Sequence, residues 1–390
     1  MNRIHDNNYD PCDPEDIEEE QNNFLCILAA FKNYRNYSMG RVANTEKYLN
    51  TLPKPHQQML SQYRDHLTKI RYCIDENEKV IQRILQDVDK IFQNENQTVV
   101  RPDNEQVVRV REMDLDKVQV TLKQFARDWS SDGEEERTQC YKPIIDEILS
   151  QFNPADVDVS QIKVLVPGAG LGRLTYELAR RGYYCEGNEF SLFMLIASNF
   201  VLNKCVIDNQ YTIYPWVHQY VNNAKREDQV NSITFPDVSP TQDPPTGEFH
   251  MIAGDFLQVY KEVDYWECVA TCFFIDCANN VAEFIQNIYN ILKPGGIWVN
   301  LGPLLYHYSD VQHEGSVEPT YEDLVIIIKS LGFEILKNQT GVKTKYAQNP
   351  RSMQQSEYLS VFFVCRKPLV SAASGVVENG FSDDSVNDNV

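Results

Sequence analysis

Apolar residues recur at helical spacing through the first part of the chain. They lie three or four positions apart in five ranges: 24–34, 60–70, 81–91, 118–129 and 141–148. This spacing places them on one face of an amphipathic helix. Residues 94–102 are mostly polar and lack the pattern, which predicts a linker. The ordered part of the chain is therefore expected to begin with a helical region over residues 21–153.

The pattern changes after residue 162, where short runs alternate with helical segments. The runs that predict strands cover residues 164–166, 183–187, 251–253, 269–274, 297–301 and 361–364. The segments that predict helices cover residues 172–181, 190–203, 280–293 and 321–331. This alternation predicts an α/β domain over residues 154–368, built on a mostly parallel sheet with helices on both faces. Residues 208–249 interrupt the alternation and predict an insertion beside the sheet.

The net charge of −20 is unevenly distributed along the chain. Residues 1–20 carry eight acidic side chains and one basic side chain, and residues 369–390 carry four acidic side chains and no lysine or arginine. Both ends are also poor in large apolar residues, which predicts two disordered tails. An acidic body without a basic cluster argues against nucleic acid and against a membrane surface as partners.

Ten cysteines are scattered along the chain, and no Cys-x-x-Cys pair occurs. The sequence also lacks a signal-peptide pattern and an apolar run long enough to cross a membrane. Together these features predict free thiols in a reducing compartment, the cytosol. Cys268, Cys272 and Cys277 are spaced poorly for zinc, so no metal site is expected.

A glycine-rich loop carries the strongest local signal for chemistry. Gly168, Gly170 and Gly172 follow a predicted strand and precede a helical segment. Glycines there allow a tight turn and let the backbone approach a ligand, which the N-terminus of the next helix can also contact. A dinucleotide site would need a third glycine where Arg173 stands, so a nicotinamide cofactor fits poorly. The loop instead resembles the first motif of class I S-adenosylmethionine-dependent methyltransferases, with a purely structural turn as the alternative.

Three further features lie where that fold would need them. Glu189 ends the second predicted strand, where its carboxylate can accept both ribose hydroxyls; the alternative is a cap for the next helix. Asp255 and Phe256 follow the third strand, where they can bind the adenine amino group and cover the ring. The Lys-Pro-Gly-Gly sequence at residues 293–296 is typical of a helix-to-strand turn in this class.

One position departs from the pattern of the class. The first motif usually has an acidic residue two positions before its first glycine, and Val166 occupies that place here. Another group must therefore hold the amino-acid end of the cofactor. Gln124 and Arg127 lie on one face of the helix predicted over residues 118–129 and can bind the methionine carboxylate. The alternative is that they form an exposed polar face.

Several longer motifs together resemble the carnosine N-methyltransferase family. They are residues 122–130, the glycine-rich loop, and residues 187–189, 214–216, 270–276 and 300–307. The resemblance extends from about residue 21 to residue 368. It implies methyl transfer from S-adenosylmethionine to the π nitrogen of the imidazole in carnosine (β-alanyl-histidine), giving anserine and S-adenosylhomocysteine. It also implies a homodimer, located in the cytosol and the nucleus.

The resemblance, carried over residue by residue, implies two sets of contacts. The cofactor contacts are Gln124, Arg127, Gly168, Glu189, Asp255, Phe256 and Cys272, to which the glycine-rich loop adds Gly170. The contacts to the dipeptide substrate are Asp276, His307, Tyr346 and Tyr358.

The chemistry of these residue types agrees with that assignment. A neutral imidazole has one N–H and one nitrogen lone pair. Asp276, just beyond the fourth strand, can accept the N–H, orient the lone pair and take up the proton; the alternative is a cap for the next helix. His307 can bind polar groups of the dipeptide or only pack, and Cys272 is expected to pack rather than to react. A protein-histidine methyltransferase and a binding module without activity are the alternative functions.

Overall fold

The computed structural model describes residues 14–88, 110–311 and 315–369. The predicted linker at residues 94–102 and most of both predicted tails lie outside the described residues. One boundary differs from the prediction, because the first helix begins at Pro14 and residues 14–20 are therefore helical rather than part of a tail. None of the helices in these three ranges is long and apolar enough to cross a membrane.

Within the described residues, five helices precede the first strand. They are α1 (Pro14–Thr51), α2 (Lys54–Met59), α3 (Ser61–Ile84), α4 (Glu112–Trp129) and α5 (Glu134–Gln151). Acidic residues occupy the first turns of α4 and α5, where negative charge stabilises the N-terminus of a helix. Helix α3 ends at Ile84, so its apolar pattern continues into the turn that follows it.

The rest of the described chain alternates between strands and helices. The strands are β1 (Lys163–Pro167), β2 (Tyr184–Glu189), β3 (Tyr211–Ile213), β4 (Ile233–Phe235), β5 (Phe249–Ala253), β6 (Trp266–Cys272), β7 (Leu292–Gly302), β8 (Glu334–Thr344) and β9 (Tyr358–Arg366). The helices are α6 (Arg173–Ala179), α7 (Leu192–Lys204), α8 (Arg226–Gln229), α9 (Phe256–Val259), α10 (Val281–Ile291) and α11 (Tyr321–Ser330).

Seven of these strands form the main sheet, in the order β5-β2-β1-β6-β7-β9-β8. The first five are parallel to one another, and β9 is antiparallel to both of its neighbours. Side chains of α10 and α11 pack on one face of the sheet, and side chains of α5 and α6 pack on the other. The predicted architecture, a mostly parallel sheet with helices on both faces, is confirmed.

The residues of the predicted insertion, 208–249, lie between α7 and β5 and pack on the N-terminal helices. They contain α8 and the antiparallel pair β3–β4. Asn77 of α3 fixes this segment with two hydrogen bonds to the backbone of Tyr214: its Nδ2 donates to the carbonyl oxygen at 3.0 Å, and its Oδ1 accepts from the N–H at 2.7 Å.

The N-terminal helices and the α/β domain share a hydrophobic core. The ring of Phe125 on α4 lies 6.5 Å from that of Phe200 on α7 and 4.5 Å from that of Phe235 on β4, measured between centroids. Cys140 and Ile144 of α5 are fully buried against the sheet. Because burial of apolar surface is the main stabilising contribution in folding, these contacts stabilise the helices and the α/β domain together. The shared core brings the end of α4 against the glycine-rich loop.

Candidate active site

The glycine-rich loop follows β1, at the point where the strand order of the sheet reverses. Strand β1 has β2 on one side and β6 on the other, so the loops that leave β1 and β6 diverge and open a crevice. Gly168 and Gly170 have φ values of +67° and +56°. A Cβ at Gly168 would lie 2.5 Å from the Phe274 ring. A larger residue at this position would therefore clash with the ring, and its positive φ would also be strained.

Glu189 lies beside this loop at the end of β2. Its Oε2 accepts a hydrogen bond from the Gly170 N–H at 2.8 Å, and its Oε1 accepts one from the Ser191 N–H at 2.8 Å. The carboxylate thus holds the loop and also caps the turn before α7, and its oxygens keep lone pairs for further donors. Burial raises the pKa of Glu189, while the backbone donors oppose this rise.

Asp255 and Phe256 lie at the end of the neighbouring strand β5. Asp255 is the N-cap of α9, and its Oδ1 accepts from the Leu257 N–H at 2.7 Å and from the Gln258 N–H at 3.2 Å. Phe256 is buried, and its ring meets that of Phe274 edge to face at a centroid distance of 5.6 Å. Phe256 therefore belongs to an aromatic cluster that lies next to the glycine-rich loop.

Gln124 and Arg127 of α4 are buried, which excludes the exposed polar face as an explanation for them. Nη1 of Arg127 donates to Asp128 Oδ1 at 2.8 Å and to the Tyr141 hydroxyl at 2.6 Å. Its guanidinium also lies 4.5 Å from the centroid of the Tyr346 ring. The Arg127 Nε has no hydrogen-bond partner among the described residues. The nearest carboxylate oxygen, Glu136 Oε2, lies 3.8 Å from this Nε, too far for a hydrogen bond. A buried cation with a donor that makes no hydrogen bond is suited to an anionic ligand group.

Tyr346 links α4 to the strands on the other side of the crevice. Its hydroxyl accepts a hydrogen bond from Gln124 Nε2 at 2.8 Å, while 38% of the residue is exposed. One side of its ring lies against Phe273, at a centroid distance of 4.9 Å. Tyr358, at the start of β9, contacts the same phenylalanine at 5.9 Å. The two tyrosines predicted to bind the substrate therefore both contact Phe273.

Asp276 lies in the short turn after β6 and is only 1% exposed. Its Oδ2 accepts a hydrogen bond from the Leu305 N–H at 2.6 Å, and its backbone oxygen accepts one from the His307 N–H at 3.1 Å. Its Oδ1 is buried without a partner among the described residues. Burial raises the pKa of Asp276, and the Leu305 N–H and the nearby His307 oppose this rise. This carboxylate can accept one further hydrogen bond.

The capping alternative for Asp276 is wrong. The following helix, α10, is capped by Asn280, whose Oδ1 accepts from the Ala282 N–H at 3.1 Å. The His307 side chain is exposed rather than packed in the core. Cys272, at the end of β6, points its Sγ toward the carbonyl oxygen of Cys140 at 4.0 Å, and the Cys140 thiol and burial raise its pKa. Its thiol is therefore protonated and packs.

Two features of the site have no counterpart in the sequence prediction. Phe273 adopts a φ of +54°, which is strained for a residue with a bulky side chain, and it lies between Tyr346 and Tyr358. The second is the group of Asp128 and Tyr141 around Arg127. Asp128 lies in the motif at residues 122–130, but the resemblance assigns it no contact, and Tyr141 is predicted only as an apolar position of a helix.

Three side chains of the site could also serve as metal ligands. Asp276, Cys277 and His307 each offer a ligand atom, and these atoms lie within 4.8 Å of one another. A carboxylate, a thiol and an imidazole form a donor set that zinc accepts. The expectation of no metal comes from the spacing of Cys268, Cys272 and Cys277, without Asp276 or His307, and it stays a prediction.

Known proteins resemble this chain over most of its length. The family model described as carnosine N-methyltransferase matches residues 104–369. The carnosine N-methyltransferase unmet of Drosophila melanogaster is 55% identical over 370 residues, covering 90% of this chain and 81% of that protein. The carnosine N-methyltransferase of Mus musculus is 46% identical, covering 91% of this chain and 88% of that protein. The carnosine N-methyltransferase of Schizosaccharomyces pombe is 40% identical, and the match covers 90% of this chain and 96% of that protein.

Solved structures resemble the chain more distantly. One of them, a SAM-dependent methyltransferase from Methanosarcina mazei, is 14% identical with a TM-score of 0.37, and the match covers 58% of this chain and 98% of that chain.

Proposed function

The chain belongs to the carnosine N-methyltransferase family, and from this premise we propose that it methylates the imidazole of carnosine with S-adenosylmethionine. The products are anserine, methylated at the π nitrogen, and S-adenosylhomocysteine. The observation that carries the proposal is the buried Asp276 carboxylate. It lies in the turn after β6, at the edge of the crevice, and its Oδ1 is unpaired.

The roles of the cofactor residues follow from the groups they offer. Glu189, held beside the glycine-rich loop, would accept the ribose hydroxyls. Asp255, Phe256 and Cys272 would bound the adenine. Arg127, buried with an unpaired Nε, would bind the methionine carboxylate, and Gln124 would orient Tyr346 next to it. Each of these assignments is supported by the position of the residue at the carboxyl end of the sheet or at the adjoining end of α4.

Asp276 would control the protonation state of the acceptor. When its Oδ1 accepts the N–H of the τ nitrogen, the lone pair is confined to the π nitrogen. That lone pair forms the new N–C bond while the S–C bond breaks, and the sulfur keeps the electron pair. The positively charged imidazolium that results is stabilised by the Asp276 carboxylate, to which it then loses its proton. The raised pKa of Asp276 favours this last transfer.

The dipeptide would lie between the turn after β6 and the aromatic residues. His307 is exposed beside Asp276 and can donate to or accept from the polar ends of the dipeptide. Tyr346 and Tyr358, joined through Phe273, would cover the imidazole ring and exclude water. No metal is part of this proposal, because the unpaired Asp276 oxygen is used by the imidazole N–H.

We further propose that the protein is a homodimer in the cytosol and the nucleus, with neither nucleic acid nor a membrane as a partner. The resemblance of the chain to its family supports the dimer and the location, and the net charge of −20 supports the exclusion of polyanions. Sedimentation of the purified protein would test the dimer, and a monomer at micromolar concentration would overturn it.

A methyl-transfer assay with two kinds of acceptor tests the proposed activity. Purified protein is incubated with methyl-labelled S-adenosylmethionine and either carnosine or a mixture of denatured proteins. Label is expected in the dipeptide and not in the proteins. Label in protein histidines alone would identify a protein-histidine methyltransferase, and label in neither acceptor, with the cofactor bound, would identify a binding module.

A further inference from the structure

The methionine end of S-adenosylmethionine carries two opposite charges, a carboxylate and an ammonium group. The proposed function assigns the carboxylate to Arg127 and leaves the ammonium group without a partner. The position that would supply an acidic residue before the glycine-rich loop is Val166, which is 2% exposed and packs in the core of the sheet. An ammonium group taken out of water needs an acceptor, preferably a charged one.

Asp128, next to Arg127 at the end of α4, offers such an acceptor. It is 1% exposed, and its Oδ1 accepts hydrogen bonds from Arg127 Nη1 and from the Tyr141 hydroxyl, both at 2.8 Å. Both side-chain hydrogen bonds that the described residues make to this carboxylate end on Oδ1 and leave Oδ2 without one. One oxygen of the carboxylate therefore holds the arginine, and the other is available.

The available oxygen faces the glycine-rich loop. A Cβ built on Gly170 would have Asp128 Oδ2 at 3.8 Å as its single neighbour within 4 Å among the described residues. The space beside Gly170 is thus open and bordered by this carboxylate. In the same region Gly170 donates its N–H to Glu189, which is assigned to the ribose. The amino-acid end of a nucleoside ligand on Glu189 can therefore extend along the loop toward Asp128.

Asp128 is also held rigidly against the loop. Arg173 of α6 donates from Nη1 to the Asp128 carbonyl oxygen at 2.9 Å, and Trp129 donates from Nε1 to the Leu171 carbonyl oxygen at 3.0 Å. These two bonds fix the end of α4 to both sides of Gly172. A charged group whose backbone is fixed on both sides binds a ligand with little loss of conformational entropy.

The other buried acid near Arg127 is already engaged elsewhere. Glu136 of α5 lies 3.8 Å from the Arg127 Nε, but its carboxylate accepts from the N–H groups of Ala347 at 2.7 Å and Gln348 at 3.3 Å. It therefore anchors the segment that carries Tyr346. This makes Glu136 a suitable control, since it lies close to the same arginine but has a different task.

We propose that Asp128 binds the ammonium group of the methionine moiety and so replaces the acidic residue that Val166 displaces. Two adjacent residues at the end of α4 then bind both charged groups of the cofactor: Arg127 binds the carboxylate, and Asp128 binds the ammonium group. Selectivity for the complete amino-acid end comes from the N-terminal helices and not from the glycine-rich loop itself.

Binding of truncated cofactor analogues tests this assignment without any methyl acceptor. Three adenosine thioethers are titrated by calorimetry: the aminopropyl compound keeps only the ammonium, the carboxypropyl compound keeps only the carboxylate, and methylthioadenosine has neither. In Asp128→Asn, the side-chain Oδ1 can still hold Arg127 and Tyr141, while the charge and the second acceptor are lost. Affinity for the aminopropyl compound should fall about 10- to 100-fold, as for a lost charged hydrogen bond. Affinities for the other two compounds should change less than about threefold.

The controls separate this role from a structural one. Glu136→Gln should not lower the affinity for the aminopropyl compound relative to that for methylthioadenosine, because Glu136 lies beside the Arg127 Nε and not beside the proposed ammonium site. Equal loss for all three compounds in Asp128→Asn, or loss for the carboxypropyl compound alone, would mean that Asp128 only supports Arg127. If Asp128→Asn fails to fold, Asp128→Glu is measured in the same way, and a larger loss for the carboxypropyl compound than for the aminopropyl compound would overturn the proposal. Failure of the unchanged protein to bind S-adenosylhomocysteine would instead count against the proposed function.

Discussion

At the scale of single residues, the mechanism depends on one carboxylate oxygen. Asp276→Asn should keep the fold and the affinity for S-adenosylmethionine, because Asn can still accept from the Leu305 N–H. Its turnover should fall by about two to four powers of ten, the usual contribution of a positioned acid or base. Single-turnover kinetics measure this step directly. Near-normal turnover with the same nitrogen methylated would assign the orientation of the imidazole to another group.

The pH dependence of the reaction should report the same residue. Burial raises the pKa of Asp276, so this carboxylate becomes protonated at a higher pH than an ordinary aspartate, and only its ionised form accepts the N–H. The acceptor imidazole also loses its lone pair below about pH 6.5. Activity should therefore fall with decreasing pH as two protons bind, one to Asp276 and one to the substrate imidazole. In Asp276→Asn only the substrate proton should remain in the pH dependence. An unchanged slope of log(kcat/KM) against pH would contradict the assignment.

Glu189 tests the cofactor side of the site. Glu189→Gln removes the charge that would accept the ribose hydroxyls, so the binding free energy of S-adenosylmethionine should weaken by about 1.5–3 kcal/mol. Glu186→Gln on the same strand is the matched control, because the Glu186 carboxylate accepts from the Tyr260 hydroxyl at 2.6 Å. Titration calorimetry of both variants is the measurement. Equal affinities would remove Glu189 from the ribose site.

The sequence indicated individual residues best where they follow a recognisable strand. The ribose role of Glu189 is expected from its position at a strand end and the substrate role of Asp276 from the family resemblance, and both residues lie at the crevice in the structure. Burial of Arg127 could not be inferred, since a three-residue spacing does not distinguish the exposed face of a helix from the buried one. The strained Phe273 gave no signal either, because its φ depends on the tertiary contacts with Tyr346 and Tyr358.

At the scale of elements, α4 both packs in the core and supplies the site. Phe125→Ala should lower the free energy of unfolding by about 3–5 kcal/mol, because the cavity would lie among Phe200 and Phe235. Met113→Ala on the same helix is the control, since Met113 is 57% exposed. Urea denaturation of both variants measures the effect. A loss of less than about 1 kcal/mol for Phe125→Ala would mean that α4 contributes little to the shared core.

Six of the seven strands of the main sheet are predicted from the sequence, and the exposed edge strand β8 is not. Strands β1, β6 and β7 are largely buried and appear in the sequence as apolar runs. Strand β8 lies at the edge of the sheet, most of its side chains are exposed, and register shifts interrupt its pairing with β9. An edge strand of this kind shows neither an apolar run nor a regular alternation, so periodicity cannot identify it.

At the scale of the whole molecule, the predicted boundary near residue 153 does not separate two independent units. The apolar spacing correctly indicated helices before the sheet, but spacing within one segment contains no information about which other segment it packs against. In the structure, Arg127 and Asp128 of the helical region lie beside the glycine-rich loop, and Tyr346 from the end of the chain lies on the guanidinium of Arg127. The site exists only when all three parts are assembled.

The identity of the methylated nitrogen tests most directly whether the assembled site orients the imidazole as proposed. Purified protein is incubated with carnosine and S-adenosylmethionine that carries an isotope-labelled methyl group, and the dipeptide product is analysed by NMR. If Asp276 holds the τ N–H, the new methyl group should lie on the π nitrogen and show contacts to the β-methylene of the histidine. A methyl group with contacts to the two ring protons alone, as at the τ nitrogen, or an unlabelled dipeptide, would contradict the proposed orientation.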